Sequence, residues 1–330
     1  MFKRYFLSML LPLMLFGGNK PQLTVYTYDS FAASWGAGPK VKEAFEKEYN
    51  ATLRFVSASS AIGALRKIQL EGSQSEADIL LGLDTATMQM AKKTGLFAPH
   101  EQNLSGLTLP VAFEDEIFVP YDYNYFAFVY NKRKLHQVPD SFEALAALPD
   151  GVKIIIEDPR SATPGMGLLL WIKSIYKEKA GAYWQKLSSH ILTITKGWSQ
   201  AYSLFLKGEA EMVLSYTTSP AYHQIEENRT DIKAAIFKEG HYGQIEVAAR
   251  LKQSSHPQLA KAFLHFLQTP TFASIIPTTN WSYPVVTPQN GLPEVYKTLP
   301  TPTQMILVSP DEVESHRKAY IQEWLDALRP

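Results

Sequence analysis

The sequence predicts an α/β fold in which strands of a parallel sheet alternate with helices. Beyond residue 22 the chain shows the pattern strand, helix, strand, helix and strand, with strands at 23–28, 52–56 and 77–83. Parallel strands need a crossover connection, and the helical segments between these strands supply it. The apolar run Met212-Val213-Leu214 is typical of a strand that is buried on both faces.

Each early element carries its own local signals. The strand at 23–28 alternates apolar and polar residues. The first helix is predicted to begin at Pro39, because proline is favoured in the first helical turn. Ile62, Leu65 and Ile68 recur at helical spacing and predict the second helix.

The same alternation continues towards the C-terminus. Asp140 and Glu143 have the spacing of a capping box and predict a helix start at Asp140. Pro164 predicts the start of another helix. Further strands are predicted at 126–130, 153–158, 191–195, 212–216 and 244–249, and further helices at 257–267 and 310–328.

Two extended stretches, at 119–130 and 242–249, are predicted to pass between two lobes. Both lobes are then discontinuous in sequence, and a cleft separates them. We expect residues 20–120 with 246–300 to form lobe 1 and residues 121–245 to form lobe 2. The C-terminal helix, 310–328, is expected to pack on a lobe surface.

The composition excludes several classes of function. The chain has 330 residues and a formal net charge of +0, whereas nucleic-acid-binding surfaces normally show a basic excess. It contains no cysteine, which excludes disulfides, cysteine-ligated zinc, iron–sulfur clusters and a thiol nucleophile. None of the eight histidines has a two-histidine metal spacing, so no metal site is predicted.

The first 19 residues have the layout of a secretory signal peptide. Lys3 and Arg4 precede a short apolar run, and small residues follow it. The run is too short to span a bilayer comfortably. Because no cysteine follows it, a lipid anchor is not expected, and the mature protein is predicted to be free in the periplasm.

The strand at 212–216 ends in a group of hydroxyl and aromatic residues. Thr217, Thr218 and Ser219 lie between Tyr216 and Tyr222. In open α/β sheets, ligands bind at the carboxyl ends of the strands. Aromatic faces and hydroxyl donors at such an end favour a flat, cationic ring with a polar or anionic tail.

A second candidate for the tail is the segment 161–167, which precedes an apolar helix and has the character of an anion-binding helix start. An ordinary capped helix is the alternative. Asp29, Asp84 and Asp122 follow apolar or aromatic strand runs, where each is either a turn-forming residue or an acceptor for a ligand amine.

Several unusual strings resemble the periplasmic thiamine-binding proteins of Gram-negative bacteria, and the resemblance extends from about residue 23 to the C-terminal helix. They are 23–31 (LTVYTYDSF), 92–97 (KKTGLF), 118–122 (FVPYD), 158–160 (DPR), 164–171 (PGMGLLLW), 195–199 (TKGWS), 214–222 (LSYTTSPAY), 239–242 (EGHY), 247–250 (VAAR) and Asn280-Trp281.

This resemblance implies a two-lobed type II periplasmic binding protein fold, in which each lobe is a mixed, mainly parallel sheet flanked by helices and the ligand lies in the cleft between the lobes. It implies a monomer, with no cofactor and no enzymatic activity, that delivers thiamine and its mono- and diphosphates to the permease and ATPase of an ABC importer. The ligand-binding residues that it implies are Tyr28, Ser60, Ala61, Ala162, Thr163, Trp198, Tyr216, Thr217, Thr218, Ser219, Tyr222 and Trp281.

Two loops depart from the pattern associated with this family. An acidic residue followed by glycine is expected after the second strand, whereas this chain has Ser60-Ala61. A serine is expected where Ala162 stands. The first change removes a carboxylate that accepts from an aminopyrimidine or offsets a thiazolium charge, and the second removes a hydroxyl donor.

Two alternative functions remain open at this point. One is a ferric-iron binding protein of the same fold, although such proteins typically use adjacent tyrosines and no Tyr-Tyr pair occurs here. The other is a secreted serine hydrolase, because the segment 197–201 is one glycine short of a nucleophile elbow centred on Ser199. Thiaminases of this overall fold use a cysteine nucleophile, which the chain lacks.

Overall fold

A computed structural model describes residues 20–329, so the predicted signal peptide lies outside the described residues. The strands are β1 (Gln22–Tyr28), β2 (Thr52–Ala58), β3 (Ile79–Asp84), β4 (Val119–Asn131), β5 (Ile154–Glu157), β6 (Ile191–Thr195), β7 (Met212–Tyr216), β8 (Ile232–Ala234), β9 (His241–Arg250), β10 (Tyr283–Pro284) and β11 (Met305–Ile306).

Helices connect most of these strands. They are α1 (Asp29–Ala32), α2 (Gly38–Tyr49), α3 (Ala61–Glu71), α4 (Met88–Lys92), α5 (Phe142–Ala146), α6 (Thr163–Tyr176), α7 (Ala180–Ser188), α8 (Trp198–Leu206), α9 (Ser219–Ile225), α10 (Pro257–Phe266), α11 (Pro270–Ile275), α12 (Glu294–Thr298) and α13 (Pro310–Ala327).

The sheet has parallel strands at both ends and antiparallel strands in its middle. The strand order is β2-β1-β3-β9-β4-β7-β5-β6. Strands β1, β2 and β3 are parallel, and so are β5, β6 and β7. The predicted parallel sheet is therefore confirmed for these two sets. The antiparallel pairing of β9 with β3 and β4 had no signal in the strand–helix alternation.

Strand β4 joins the two parallel sets. Its residues 119–125 pair with β9, and its residues 126–130 pair with β7. Each half of the sheet is covered on both faces by apolar side chains. In the first half, one core is formed by residues from 23–121 and 248–276, and a second cluster of buried residues covers the other face of the sheet. In the second half, the core includes residues from 126–242 together with residues of α13.

These cores correspond in position to the two predicted lobes, whose boundaries stay a prediction. Val313 and Trp324 of α13 are buried in the core of the second half, while Lys93 and Gln89 of the first half bond to Glu314 and Asp311 of the same helix. No helix within residues 20–329 is long and apolar enough to cross a membrane.

The predicted helix start at Asp140 is wrong by one residue. Ser141 is the N-cap of α5, and its hydroxyl accepts from the Ala144 N–H at 3.1 Å. Ser141 has extended backbone angles, as an N-cap requires, whereas Asp140 is exposed and lies opposite Lys238 at 4.0 Å.

His241 of β9 is a fully buried polar group within the second core. Its Nε2 accepts from the Phe237 N–H at 2.8 Å, and its Nδ1 lies 2.7 Å from the Phe126 carbonyl oxygen. The accepting Nε2 places the ring proton on Nδ1, so the ring is neutral. Burial lowers the pKa of His241 to about 4.

We predict that His241 weakens the fold as pH falls from 7 to 5. In that range the histidine of the unfolded chain, with a pKa of about 6.5, becomes protonated, whereas the buried ring of the folded protein stays neutral. The resulting loss in the free energy of unfolding is about 2 kcal/mol. His241→Gln should remove most of this loss, as measured by urea unfolding at both pH values. An unchanged pH dependence in the variant would contradict the assignment.

Candidate functional site

A cavity of about 580 Å³ lies between the two halves of the molecule, at the carboxyl ends of both parallel sets. Residues that follow β1 and β2 and one residue within β3 line one side, and residues that follow β5, β6 and β7 line the other. This is the edge at which open α/β sheets bind ligands. Pairing within each set therefore brings residues that are far apart in sequence to one place.

The cavity contains all but one of the binding residues predicted from the sequence. The predicted residues that line it are Tyr28, Ser60, Ala61, Ala162, Thr163, Trp198, Tyr216, Thr218, Ser219, Tyr222 and Trp281. Thr217 is fully buried beside the cavity and does not line it. Its N–H donates to the Tyr125 carbonyl at 3.0 Å, so its backbone fixes the turn. Ligand contact by this set stays a prediction.

The aromatic rings of the cavity are held by neighbouring side chains. Trp198 stacks on Tyr202 with ring centroids 4.9 Å apart, and its Nε1 donates to the Ser215 hydroxyl at 2.8 Å. Tyr222 and Trp281 meet edge to face at 5.3 Å. Because these contacts fix the ring planes, the cavity offers flat faces in set orientations.

Tyr28 depends on a glycine in the neighbouring strand. Gly82 has a φ of +108°, and a Cβ at this position would lie 2.4 Å from the Tyr28 ring. Only glycine lets the ring pack against the backbone there. The Tyr28 hydroxyl then donates to Glu246 Oε2 at 3.0 Å.

The hydroxyl turn after β7 is ordered by bonds within the protein. The Ser219 hydroxyl lies 2.8 Å from that of Ser215 and accepts from the Tyr216 N–H at 3.2 Å. Thr218 Oγ1 donates to Asn124 Oδ1 at 2.9 Å. These bonds hold the turn against β4 and set the positions of Tyr216 and Ser219 at the cavity wall.

Helices α6 and α8 both begin at the cavity without a side-chain cap. Ala162 and Gly197 are the N-caps of α6 and α8, and neither N-terminus has a capping side chain. Their first N–H groups and positive dipole ends favour an anion. By contrast, Ser60 caps α3 by accepting from the Gly63 N–H at 3.0 Å. Arg160, near the start of α6, is engaged in two-point hydrogen bonding to Asp158.

The floor of the cavity carries a buried polar group that the sequence analysis largely missed. Asp122 of β4 lies opposite Glu246 of β9, and Asn280 donates to Asp122 Oδ2 at 2.7 Å and to Glu246 Oε2 at 3.3 Å. The sequence pattern predicts Asp122 as an acceptor candidate but does not single out Glu246 or Gln244. The available signal was that residues 244 and 246 are polar on one face of an otherwise apolar strand.

Three contacts cross the cavity mouth from one half to the other. The Ser199 hydroxyl donates to Asp29 Oδ1 at 3.1 Å, and Arg66 donates to the Arg160 carbonyl at 3.2 Å. A Cβ at Gly197 would lie 2.8 Å from the Ser59 carbonyl oxygen. The two halves are therefore closed over the cavity, and Gly197 permits their approach.

Two further observations concern the alternative functions. Within residues 20–329, no group of three or more histidine, aspartate or glutamate residues is placed to hold a metal ion. Ser199 donates to a carboxylate, Asp29, rather than to a histidine base. Neither observation favours an iron site or a hydrolase.

Comparison with known proteins identifies the family. The family model for bacterial extracellular solute-binding proteins matches residues 36–273. The thiamine-binding periplasmic protein of Brucella melitensis is 48% identical over 308 residues, which cover 93% of this chain and 92% of that protein. The chain belongs to the bacterial extracellular solute-binding protein family. The resemblance inferred from the sequence motifs is thereby confirmed.

Solved structures agree with this assignment. A periplasmic thiamin binding protein superposes on this solute-binding protein with a TM-score of 0.91 at 48% identity, over 94% of this chain and 97% of that one. The predicted two-lobed type II fold is confirmed. A ferric binding protein from Campylobacter jejuni has a TM-score of 0.76 at 19% identity over 92% and 99% of the two chains, which shows a shared fold alone. A solute-binding protein captures its ligand without catalysis, so the chain is not an enzyme.

Proposed function

We propose that this protein captures thiamine in the periplasm and delivers it to an ABC importer. One observation carries the proposal: the five aromatic side chains that the family resemblance implies come from separate segments and line a single cavity, in a chain that is 48% identical to thiamine-binding periplasmic proteins. The five are Tyr28, Trp198, Tyr216, Tyr222 and Trp281.

The aromatic cavity suits the charge and shape of thiamine. A thiazolium is a delocalised cation, and a cation over an aromatic face gains about 0.5–2 kcal/mol per good contact once it is desolvated. The pyrimidine is flat and stacks on rings of fixed orientation. Trp198 and the Tyr222–Trp281 pair provide such faces.

The mono- and diphosphates of thiamine are the proposed additional ligands. The uncapped N-terminus of α6 at Ala162 and Thr163 lines the cavity and would hold a phosphate or hydroxyethyl tail. Alanine at position 162 leaves these N–H groups free of a competing side-chain acceptor. Ser60, Ala61, Thr218 and Ser219 are the further proposed contacts at the wall.

Delivery follows from closure of the two lobes. A ligand that touches both lobes stabilises the closed form, and only that form would present a continuous surface to the permease. We propose that a monomer performs this cycle with a permease and its ATPase. Export by a cleaved signal at 1–19, without a lipid anchor, would place the protein in the periplasm with its importer.

Trp198→Ala is predicted to weaken thiamine binding at least a hundredfold, or about 2.7 kcal/mol. The variant removes a stacking face and the partner of Tyr202 in the cavity wall. Titration calorimetry with thiamine measures the change, and ferric citrate serves as the probe for the iron alternative.

Tyr49→Ala is the control for this prediction, because Tyr49 packs on Phe45 outside the cavity. Its affinity for thiamine should equal that of the wild type. A loss below threefold for Trp198→Ala would exclude its ring from the binding site. Absence of heat with thiamine in the wild type would overturn the proposed function.

Gly197→Ala is predicted to weaken thiamine binding at least tenfold while leaving thermal stability unchanged. The added methyl group meets the Ser59 carbonyl only when the lobes close, and the φ of −164° at this position suits alanine. Gly106→Ala is the matched control, since nothing lies within 4 Å of a Cβ there. Equal affinities for the two variants would show that the contact does not limit closure.

A further inference from the structure

We propose that the Asp122–Glu246 carboxylate pair at the cavity floor is the counter-charge that makes this protein select a cationic ring over a neutral one. The inference rests on the proposed function and assigns the charge recognition within that site. It gives the pair a role that the family resemblance implies for an acidic residue in the loop at residues 58–61, where this chain has none.

Of the two acids, only Glu246 lines the cavity, and Asp122 lies behind it in the interior. Glu246 lines the cavity and is 6% exposed, whereas Asp122 is fully buried. The two residues face each other across the antiparallel pair β4 and β9. Apart from the adjacent Glu246 carboxyl, Asp122 Oδ1 has no hydrogen-bond partner among the described residues. The pair is therefore a buried acidic group with unused bonding capacity.

The groups that face the pair are neutral donors or other acids. Tyr28 of β1 and Tyr121 of β4 approach Glu246, and burial raises the pKa of both phenols, so they stay protonated. Tyr216 of β7 is likewise neutral, and Tyr296 of α12 lies within electrostatic range of Asp122. Asn280 donates to both carboxylates.

One more acid lies in the neighbouring strand. Asp84 of β3 is opposite Glu246 in register, but its carboxylate accepts from Thr87 Oγ1 at 2.7 Å, and Arg317 of α13 lies within electrostatic range of it. Neither Asp122 nor Glu246 forms a salt bridge within the described chain. Their charge is therefore left uncompensated by the protein itself.

Because no basic side chain of the described residues pairs with the two carboxylates, a bound proton reduces their charge. Burial raises the pKa of Asp122 to about 7, and burial together with Asp122 raises the pKa of Glu246 well above its usual range. An unpaired charge in a buried site is costly, so the pair holds a proton near neutral pH. A cationic ring above Glu246 would displace that proton.

An independent observation also indicates a ligand at this floor. Gln244 lies two residues before Glu246 on the same face of β9, lines the cavity and is 3% exposed. Its Oε1 is buried and has no donor among the described residues. Buried amide carbonyls are normally satisfied, so a ligand N–H is the missing partner.

Calorimetry with two ligands tests the proposal. One is thiamine, and the other is its neutral isostere in which a thiophene replaces the thiazolium ring. The wild type should prefer thiamine at least thirtyfold. Glu246→Gln should reduce this preference below threefold, because it weakens the binding of thiamine and leaves the binding of the isostere unchanged. Asp122→Asn should change the preference in the same direction.

Glu157→Gln is the matched control. Glu157 is a fully buried carboxylate without a hydrogen-bond partner, and it does not line the cavity. This variant should keep the wild-type preference. Circular dichroism establishes that each variant is folded. A preference that survives in Glu246→Gln would overturn the proposal.

Proton linkage in the wild type provides a test that needs no variant. Thiamine should release a proton near pH 7, seen as a dependence of the binding heat on the buffer, and its affinity should fall at least fivefold from pH 8 to pH 6. The isostere carries the same aminopyrimidine and should show neither effect. If both ligands showed the same proton release and the same pH dependence of affinity, the role of the pair as a counter-charge would be refuted. If neither ligand bound, the proposed function would be refuted instead.

Discussion

The antiparallel pairing of β4 with β9 holds the two halves of the molecule in their relative positions. These two strands join two parallel sets whose carboxyl ends face a common cleft. Every wall of the cavity is built on that arrangement, because the loops that follow the parallel strands converge only if the two sets are held in this relation. The same pairing places Asp122 opposite Glu246 at the floor. The scaffold thus fixes both the shape of the cavity and its charge.

The cavity combines rigid apolar faces with a small number of buried polar groups. Ring planes are set by contacts such as Trp198 on Tyr202 and by the close approach of Tyr28 to Gly82. Rigid faces reduce the entropy that binding costs, since few side chains must be ordered by the ligand. The polar groups are left partly unsatisfied in a closed protein, as with Gln244 Oε1 and Asp122 Oδ1. Such a site favours a ligand that supplies the missing hydrogen-bond partners and positive charge.

Much of the fold and most of the candidate site could be predicted from the sequence. Strand–helix alternation gave the two parallel sets, and the resemblance to a known family named residues from distant segments that now line one cavity. Thr217, the first residue of the hydroxyl turn, is buried beside the cavity and does not line it, because successive side chains at the end of β7 point in opposite directions. The capping-box spacing of Asp140 and Glu143 predicts a cap at Asp140, whereas Ser141 is the cap; both residue types serve as caps, and only the backbone angles distinguish them. Glu246 and Gln244 were missed because their strand was interpreted as a crossing segment.

The sequence alone specifies the periodic elements, the absence of thiol and disulfide chemistry, and the residue types that suit a cationic ring. These properties depend on local spacing and composition, which are visible along the chain. The folded chain is needed to show that Glu246 meets Asp122, that Gly197 lies against Ser59, and that α6 begins at the cavity. Each of these contacts joins residues far apart in sequence. Strand register and lobe closure set such contacts, and both are properties of the folded chain that no local pattern encodes.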